Sequence, residues 1–266
     1  MRLILLQGIE AYFAPPQFQP PAKAMLRTPD RAFERWVTRN THTHKQPGYT
    51  IVTISLKPIG GVPGDATHAQ MDALADLMDR FGMDEIRVSH EQNLVLPDIA
   101  KADLYELWTQ LETLELATPN IGLAGDIIAC PGLDYCALAN ARSIPVAQQI
   151  SKHFSDLTRL LDIGELKIKI SGCINACGHH HVGHIGILGV DKHGSEFYQI
   201  TLGGSADEHA SIGDIVGPSF GATEVVGAVE TIIDTYLHVR ADGERFLDTY
   251  RRVGLKPFKE KLYAAH

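Results

Sequence analysis

The chain carries four cysteines, and all of them fall in two tight pairs, Cys130-Pro-Gly-Leu-Asp-Tyr-Cys136 and Cys173-Ile-Asn-Ala-Cys177. No cysteine is left over. Four thiolates are the complement of ligands that a [4Fe-4S] cube needs. Each pair lies where a strand-like run gives way to a turn containing Gly or Pro, and Gly172 and Gly178 flank the second pair. A residue without Cβ lets backbone approach an inorganic cluster and donate N–H groups to its sulfides. A tetrahedral zinc site would use the same four ligands, but structural zinc sites favour Cys-x2–4-Cys gaps, which the first pair exceeds. Spacing therefore puts iron–sulfur ahead of zinc, with inert core cysteines behind both.

The compartment supports metal ligation. The segment Met1–Gln7 has one basic residue and too short an apolar run for a signal peptide, and no later stretch is long enough to span a bilayer. The expected location is the cytoplasm, with no membrane partner, where cysteines read as ligands or catalysts rather than as a disulfide framework. With 266 residues, 44% hydrophobic and 21% charged, the chain reads as an ordinary globular protein with a substantial core. Its 32 acids against 24 Lys and Arg give a formal charge of −8, which argues against nucleic acid. The same balance leaves few basic groups to converge on an anionic cofactor or oxyanion.

Periodicity divides the chain into three. Residues 1–28 are apolar and Pro-rich and read as a connector. Tyr49–Leu56 alternates as a strand, and Thr67 with Gln70 forms a capping-box pattern for a helix over about 68–81. Ile86–Val88 and Asn93–Leu96 read as short strands, and Leu104, Leu107, Trp108 and Leu111 mark a second amphipathic helix. This strand–helix–strand–strand–helix order is that of a ferredoxin-like half-domain, about 29–120. A second region, 121–266, begins with the strand Ile127–Ala129 running into Cys130. It continues with a helical segment of about 134–154 interrupted at Pro145, and a strand Leu166–Ser171 running into Gly172-Cys173. Strands over His184–Val190 and Phe197–Leu202, a helix over Glu224–Val239 and a helical C-terminus complete it. The expected class is α/β (α+β): a ferredoxin-like half-domain followed by a mixed-sheet domain, with the cysteines at their junction. Met71, Met78 and Trp108 read as core.

The pattern Cys-x5-Cys followed by Gly-Cys-x-Asn-x-Cys-Gly, with Asn175 and both glycines in place, resembles that of the sirohaem-containing nitrite and sulfite reductases. Lys45-Gln46-Pro47-Gly48 resembles the start of that family's second ferredoxin-like half-domain, and Arg87-Val88-Ser89-His90-Glu91-Gln92-Asn93-Leu94 resembles the strand pair that closes it. The resemblance covers residues from about 29 to the C-terminus. It implies a mixed-sheet domain that carries sirohaem as well as a [4Fe-4S] cluster held by Cys130, Cys136, Cys173 and Cys177, with Cys177 also axial to the sirohaem iron. It implies six-electron reduction of sulfite to sulfide or of nitrite to ammonia. Asn175, Lys169, Arg142, Arg87, Gln92 and Asn93 are the further cofactor-binding candidates, and no catalytic residue is assigned in this part of the chain.

Members of that family are about twice as long, and their first half carries most of the basic residues. The acidic balance agrees with the absence of that half, so a missing N-terminal half is an expected partner, and the chain alone is expected to be inactive. Lys169 and Arg87 are equally well read as ordinary surface residues, and Gln92 and Asn93 as turn formers. His179, His180, His181 and His184 cannot all face one ion on regular backbone, and proton donation or haem-edge packing suits one of them better. Gly203-Gly204 is only a turn, so no nicotinamide or flavin site is read, and electrons should come from a separate ferredoxin or NADPH-flavoprotein. The competing reading is an isolated iron–sulfur or zinc module without sirohaem.

Overall fold

A computed structural model describes Phe18, residues 30–83 and residues 85–264. The connector read at 1–28 lies, apart from Phe18, outside the described residues. Asp30 is an N-cap, its carboxylate accepting from the N–H groups of Ala32 (2.9 Å) and Phe33 (3.2 Å), and α1 (Arg31–Asn40) follows. Strands β1 (Thr41–Thr43), β2 (Tyr49–Ile54), β3 (Arg87–Val88) and β4 (Leu94–Ala100) form an antiparallel sheet of order β1-β2-β4-β3. Two helices join it, α2 (His68–Arg80) and α3 (Leu104–Thr113). The sequence order strand–helix–strand–strand–helix is therefore β2–α2–β3–β4–α3, with α1 and β1 added in front.

The capping box forms as read: Thr67 Oγ1 accepts from the Gln70 N–H (3.2 Å), and Gln70 Oε1 from the Thr67 N–H (3.0 Å). Leu74, Leu77 and Met78 on α2 and Trp108 on α3 join Val52, Ile54 and Leu96 in one apolar core. Met71 departs from its reading as core and is 60% exposed. On α2 the buried stripe runs through positions 74, 77 and 78, and position 71 lies at its outer margin.

The second sheet is mixed. Its order is β10 (Phe220–Gly221), β8 (Ser195–Leu202), β7 (Ile185–Lys192), β6 (Ile168–Ser171), β5 (Ile128–Ala129), and β9 (Asp214–Ile215) pairs with β8. Strands β5–β6 and β6–β7 are parallel, whereas β7–β8 and β8–β10 are antiparallel. Helices α4 (Ile144–His153), α5 (Leu157–Ile163), α6 (Val225–Val239), α7 (Phe246–Val253) and α8 (Lys256–Tyr263) belong to this region. Ile168 and Ile170 enter a second large core with Ile150, Phe154, Ile232, Tyr236 and Phe246.

One helix expected over 134–154 is shorter and starts later. A single 3-10 turn at Gly132–Asp134 and an irregular loop precede α4, and Pro145 sits in its first turn. There the missing proline N–H costs no hydrogen bond, so Pro145 starts the helix instead of interrupting it.

The two sheets are tied by a buried polar junction. Lys57 Nζ, just past β2, lies 2.5 Å from Asp126 Oδ1, and both side chains are almost fully buried. Asn93 Nδ2 also donates to Asp126 Oδ1 (3.1 Å), the Gly122 N–H to Asp126 Oδ2 (3.0 Å), and Lys57 Nζ to the Glu91 carbonyl. Asn120 Nδ2 donates to the Lys57 carbonyl (3.0 Å).

Candidate iron–sulfur site

The two cysteine pairs meet because β5 and β6 are parallel neighbours. Parallel pairing brings both carboxyl ends to one edge of the sheet, the edge where α/β folds receive ligands. Cys130 directly follows β5, and its N–H donates to the Ile170 carbonyl (3.1 Å). Its Sγ accepts the Gly172 N–H at 3.1 Å and lies 3.4 Å from Ser143 Oγ. The first thiol therefore lies beside the residue that precedes Cys173. The Cys136 N–H donates to the Gly132 carbonyl (2.9 Å), and the loop closes where the Asn140 and Ala141 N–H groups donate to the Gly172 carbonyl (2.8 and 3.0 Å).

Such close threading requires glycine. A Cβ at Gly172 would lie 2.6 Å from the Ala141 carbonyl oxygen, and one at Gly178 would lie 1.9 Å from the Ile170 carbonyl oxygen. The space these glycines free is filled by neighbouring backbone. Their N–H groups go to Cys130 Sγ and, for Gly178, to Ser171 Oγ (3.1 Å). The second pair is wound through left-handed residues, Ala176 (φ 56°) and His179 (φ 54°), with the Ala176 N–H on the Cys173 carbonyl. Both loops close on the carboxyl end of β6. Cys130 and Cys173 are buried, Cys136 is half-buried and Cys177 is exposed. Tyr135, Leu138 and Ile174 stand exposed on the same two loops.

Among the described residues no three His, Cys, Asp or Glu side chains stand close enough to hold one metal ion, as zinc with ligands about 2.3 Å away requires.

The other sequence candidates lie in distinct settings. Lys169 is in mid-β6 on the opposite face from Ile168 and Ile170, is 2% exposed, and has no hydrogen-bond or ion-pair partner among the described residues. Burial pushes its ammonium below the ordinary lysine value, and Lys167 and Lys57 act in the same sense against Glu91. Arg142 is exposed and held by acids: its Nη1 is 2.8 Å from Glu196 Oε1 and its Nε 3.3 Å from Asp134 Oδ1. Tyr198 OH donates to the Arg142 carbonyl (2.8 Å), and burial first, then Glu196, raises its phenol above the usual range. Arg87 is exposed and paired with Glu85. Asn175 is exposed beside Cys177. Gln92 and Asn93 turn inward: the Gln92 amide bonds the backbone of Ala129, and Asn93 bonds Asp126.

The histidines divide by burial. His180 and His184 are buried, and desolvation takes each down to about 4, so both are neutral near pH 7. His184 Nδ1 accepts the Lys167 N–H (3.2 Å), and its ring stacks parallel to Phe246. His179 and His181 are exposed. Ser143, Ser171, Glu196 and the Lys57–Asp126 pair also shape the site. Their sequence context gives no sign of it, because each works through contacts between residues distant in the chain.

Among known families, the profile described as nitrite and sulphite reductase 4Fe-4S domain matches residues 125–266. The profile described as nitrite/sulfite reductase ferredoxin-like half domain matches residues 42–114. A sulfite reductase (ferredoxin) of Mycobacterium tuberculosis is 30% identical over 203 residues, 72% of this chain and 36% of that protein. A chloroplastic ferredoxin–nitrite reductase of Spinacia oleracea is 26% identical over 249 residues, 88% of this chain and 40% of that protein. The chain thus spans well under half the length of these relatives. Among solved structures, the NirA protein of Mycobacterium tuberculosis superposes with a TM-score of 0.69 at 26% identity, covering 95% of this chain and 46% of that one. A dissimilatory sulfite reductase shares the fold, with a TM-score of 0.64 at 15% identity over 80% of this chain and 69% of that one.

Proposed function

The chain belongs to the nitrite and sulfite reductase family, and we propose that it is the half of such an enzyme that holds the [4Fe-4S] cluster, on Cys130, Cys136, Cys173 and Cys177. The observation that carries this reading is the meeting of both cysteine loops at the carboxyl end of β6, inside the region matched to the family's 4Fe-4S domain. In this reading residues 29–120 form the ferredoxin-like half-domain and 121–266 the cluster domain, joined by Lys57 and Asp126.

Sirohaem, when bound, supplies the iron at which sulfite or nitrite takes up six electrons. Cys177, the exposed thiol of the four, would be the residue to hold it. Were that thiolate also a cluster ligand, it would couple the two groups directly. Lys169 suits an anionic group of the cofactor because its side chain is almost fully buried and makes no ion pair among the described residues. Arg142 and Arg87 already have acidic partners and would have to share them; Asn175 lies on the exposed loop beside Cys177. Ferredoxin in the names of several relatives supports a ferredoxin as electron donor, and the complementary half would supply the remaining cations.

The test is anaerobic purification with iron and acid-labile sulfide assays. The chain should hold one cluster, and Ser in place of any one of the four cysteines should abolish its absorbance and lower stability, because ligation free energy is also folding free energy. Full iron content in a single-cysteine variant would remove that residue from the ligand set.

A further inference from the structure

Ser89–Asn93 makes the turn between β3 and β4, closed by the Ser89 N–H on the Asn93 carbonyl (2.8 Å). Within it Gln92 adopts a left-handed backbone, φ 57°. A residue with a Cβ is disfavoured there, and such positions ordinarily take Gly or Asn. Its side chain reaches across to the second sheet. Gln92 Nε2 donates to the Ala129 carbonyl (2.8 Å), and Gln92 Oε1 accepts the Ala129 N–H (3.1 Å). Among the described residues β5 pairs with β6 alone, so its other edge carries unpaired backbone groups. The Gln92 amide satisfies both polar atoms of Ala129 and stands in for a neighbouring strand.

Ala129 immediately precedes Cys130, whose Sγ accepts the Gly172 N–H. We propose that Gln92 is a positioning residue for the first cluster ligand: its amide holds the end of β5 against β6, so that Cys130 keeps its place beside Gly172 and its N–H···S bond. The inference rests on the reading of Cys130 as a cluster ligand. Hydrogen bonds to cluster sulfurs set reduction potential, since they draw electron density from the thiolate. Freeing the strand end weakens that bond, moves the cluster to a more negative potential and lets it leave sooner.

Two variants of the full chain separate this role from that of a turn former. Gln92→Gly relieves the left-handed backbone and removes the amide. Gln92→Met keeps the length and the backbone cost while removing both hydrogen bonds. The measurements are the cluster's midpoint potential by spectroscopically monitored titration, the rate of iron loss to a chelator, and thermal unfolding of the cluster-free chain. Both variants should shift the potential negative and lose iron several-fold faster, although Gln92→Gly unfolds at a temperature equal to or above that of the unaltered chain. A Gln92→Gly chain with unaltered potential and iron-loss rate would overturn the proposal and leave Gln92 a turn residue. If the unaltered chain assembles no cluster, the functional reading itself fails, and this inference falls with it.

Discussion

Buried imidazoles give the molecule an acid-sensitive element that can be measured apart from any cofactor. His184 is almost fully buried, accepts a hydrogen bond from the Lys167 N–H and stacks on Phe246. Desolvation is the main reason its value falls from 6.5 to about 4. Since the folded value lies below the unfolded one, the unfolded chain binds the extra proton between those pH values. Stability from neutral His184 is therefore fully present above about 6.5 and is lost as pH falls toward 4, by about 3 kcal/mol. Asn at position 184 retains an acceptor for the Lys167 N–H but does not titrate. His184→Asn should flatten the fall of the urea midpoint between pH 7 and 4, and an unchanged slope would assign the acid sensitivity elsewhere. Residue identity alone shows neither this burial nor that of Lys169. Lys167-x-Lys169 reads as a solvated strand face, but β6 is a central strand covered on both sides, so Lys169 is enclosed.

At the scale of elements, the strongest local prediction concerns the junction between the two sheets. Lys57 and Asp126 lie on opposite sides of it and are both almost fully buried. Removing one partner of such a pair leaves an uncompensated charge, at a cost of about 3–5 kcal/mol, whereas replacing both with apolar groups costs far less. Lys57→Met should therefore lower the denaturant midpoint sharply, and Lys57→Met with Asp126→Leu should recover most of the loss; equal losses in both would remove the pair from the junction's stability. Elements with long apolar stripes were legible in the sequence, as α2 with its Thr67–Gln70 capping box and the uncapped but long α6 over 225–239 illustrate. Helix α1 was not, because its apolar face is only Phe33, Trp36 and Val37 among charged residues, and its packing against Tyr105 and Trp108 is long-range. That each cysteine pair follows a strand was legible in the sequence. That those two strands are adjacent and parallel was not, because β5 is two residues long and owes its place to β6 on one side and to the Gln92 side chain on the other.

For the whole molecule, charge decides what the chain can retain. It carries a formal charge of −8, and sirohaem is a polycarboxylate whose burial is unfavourable unless cations or N–H groups pair with it. Among the basic candidates, Arg142 and Arg87 are tied to acids and Lys167 to Glu91, whereas Lys169 is buried with no direct ion pair among the described residues, Glu91 acting on it only at longer range. One ammonium does not balance several carboxylates, and the net field repels anionic cofactor and substrate alike. The 266-residue chain expressed alone should therefore assemble its cluster, retain little or no sirohaem, and reduce neither sulfite nor nitrite at a measurable rate with an artificial one-electron donor. If the proposed reading holds, co-expression with the complementary half it calls for should bring the Soret and red bands of sirohaem and turnover together, because the same added cations would serve both. With that half present, Lys169→Met should lower the bound sirohaem while leaving iron–sulfur content intact. Stoichiometric sirohaem and rapid turnover by the chain alone would show that its own basic residues suffice and would refute the charge argument.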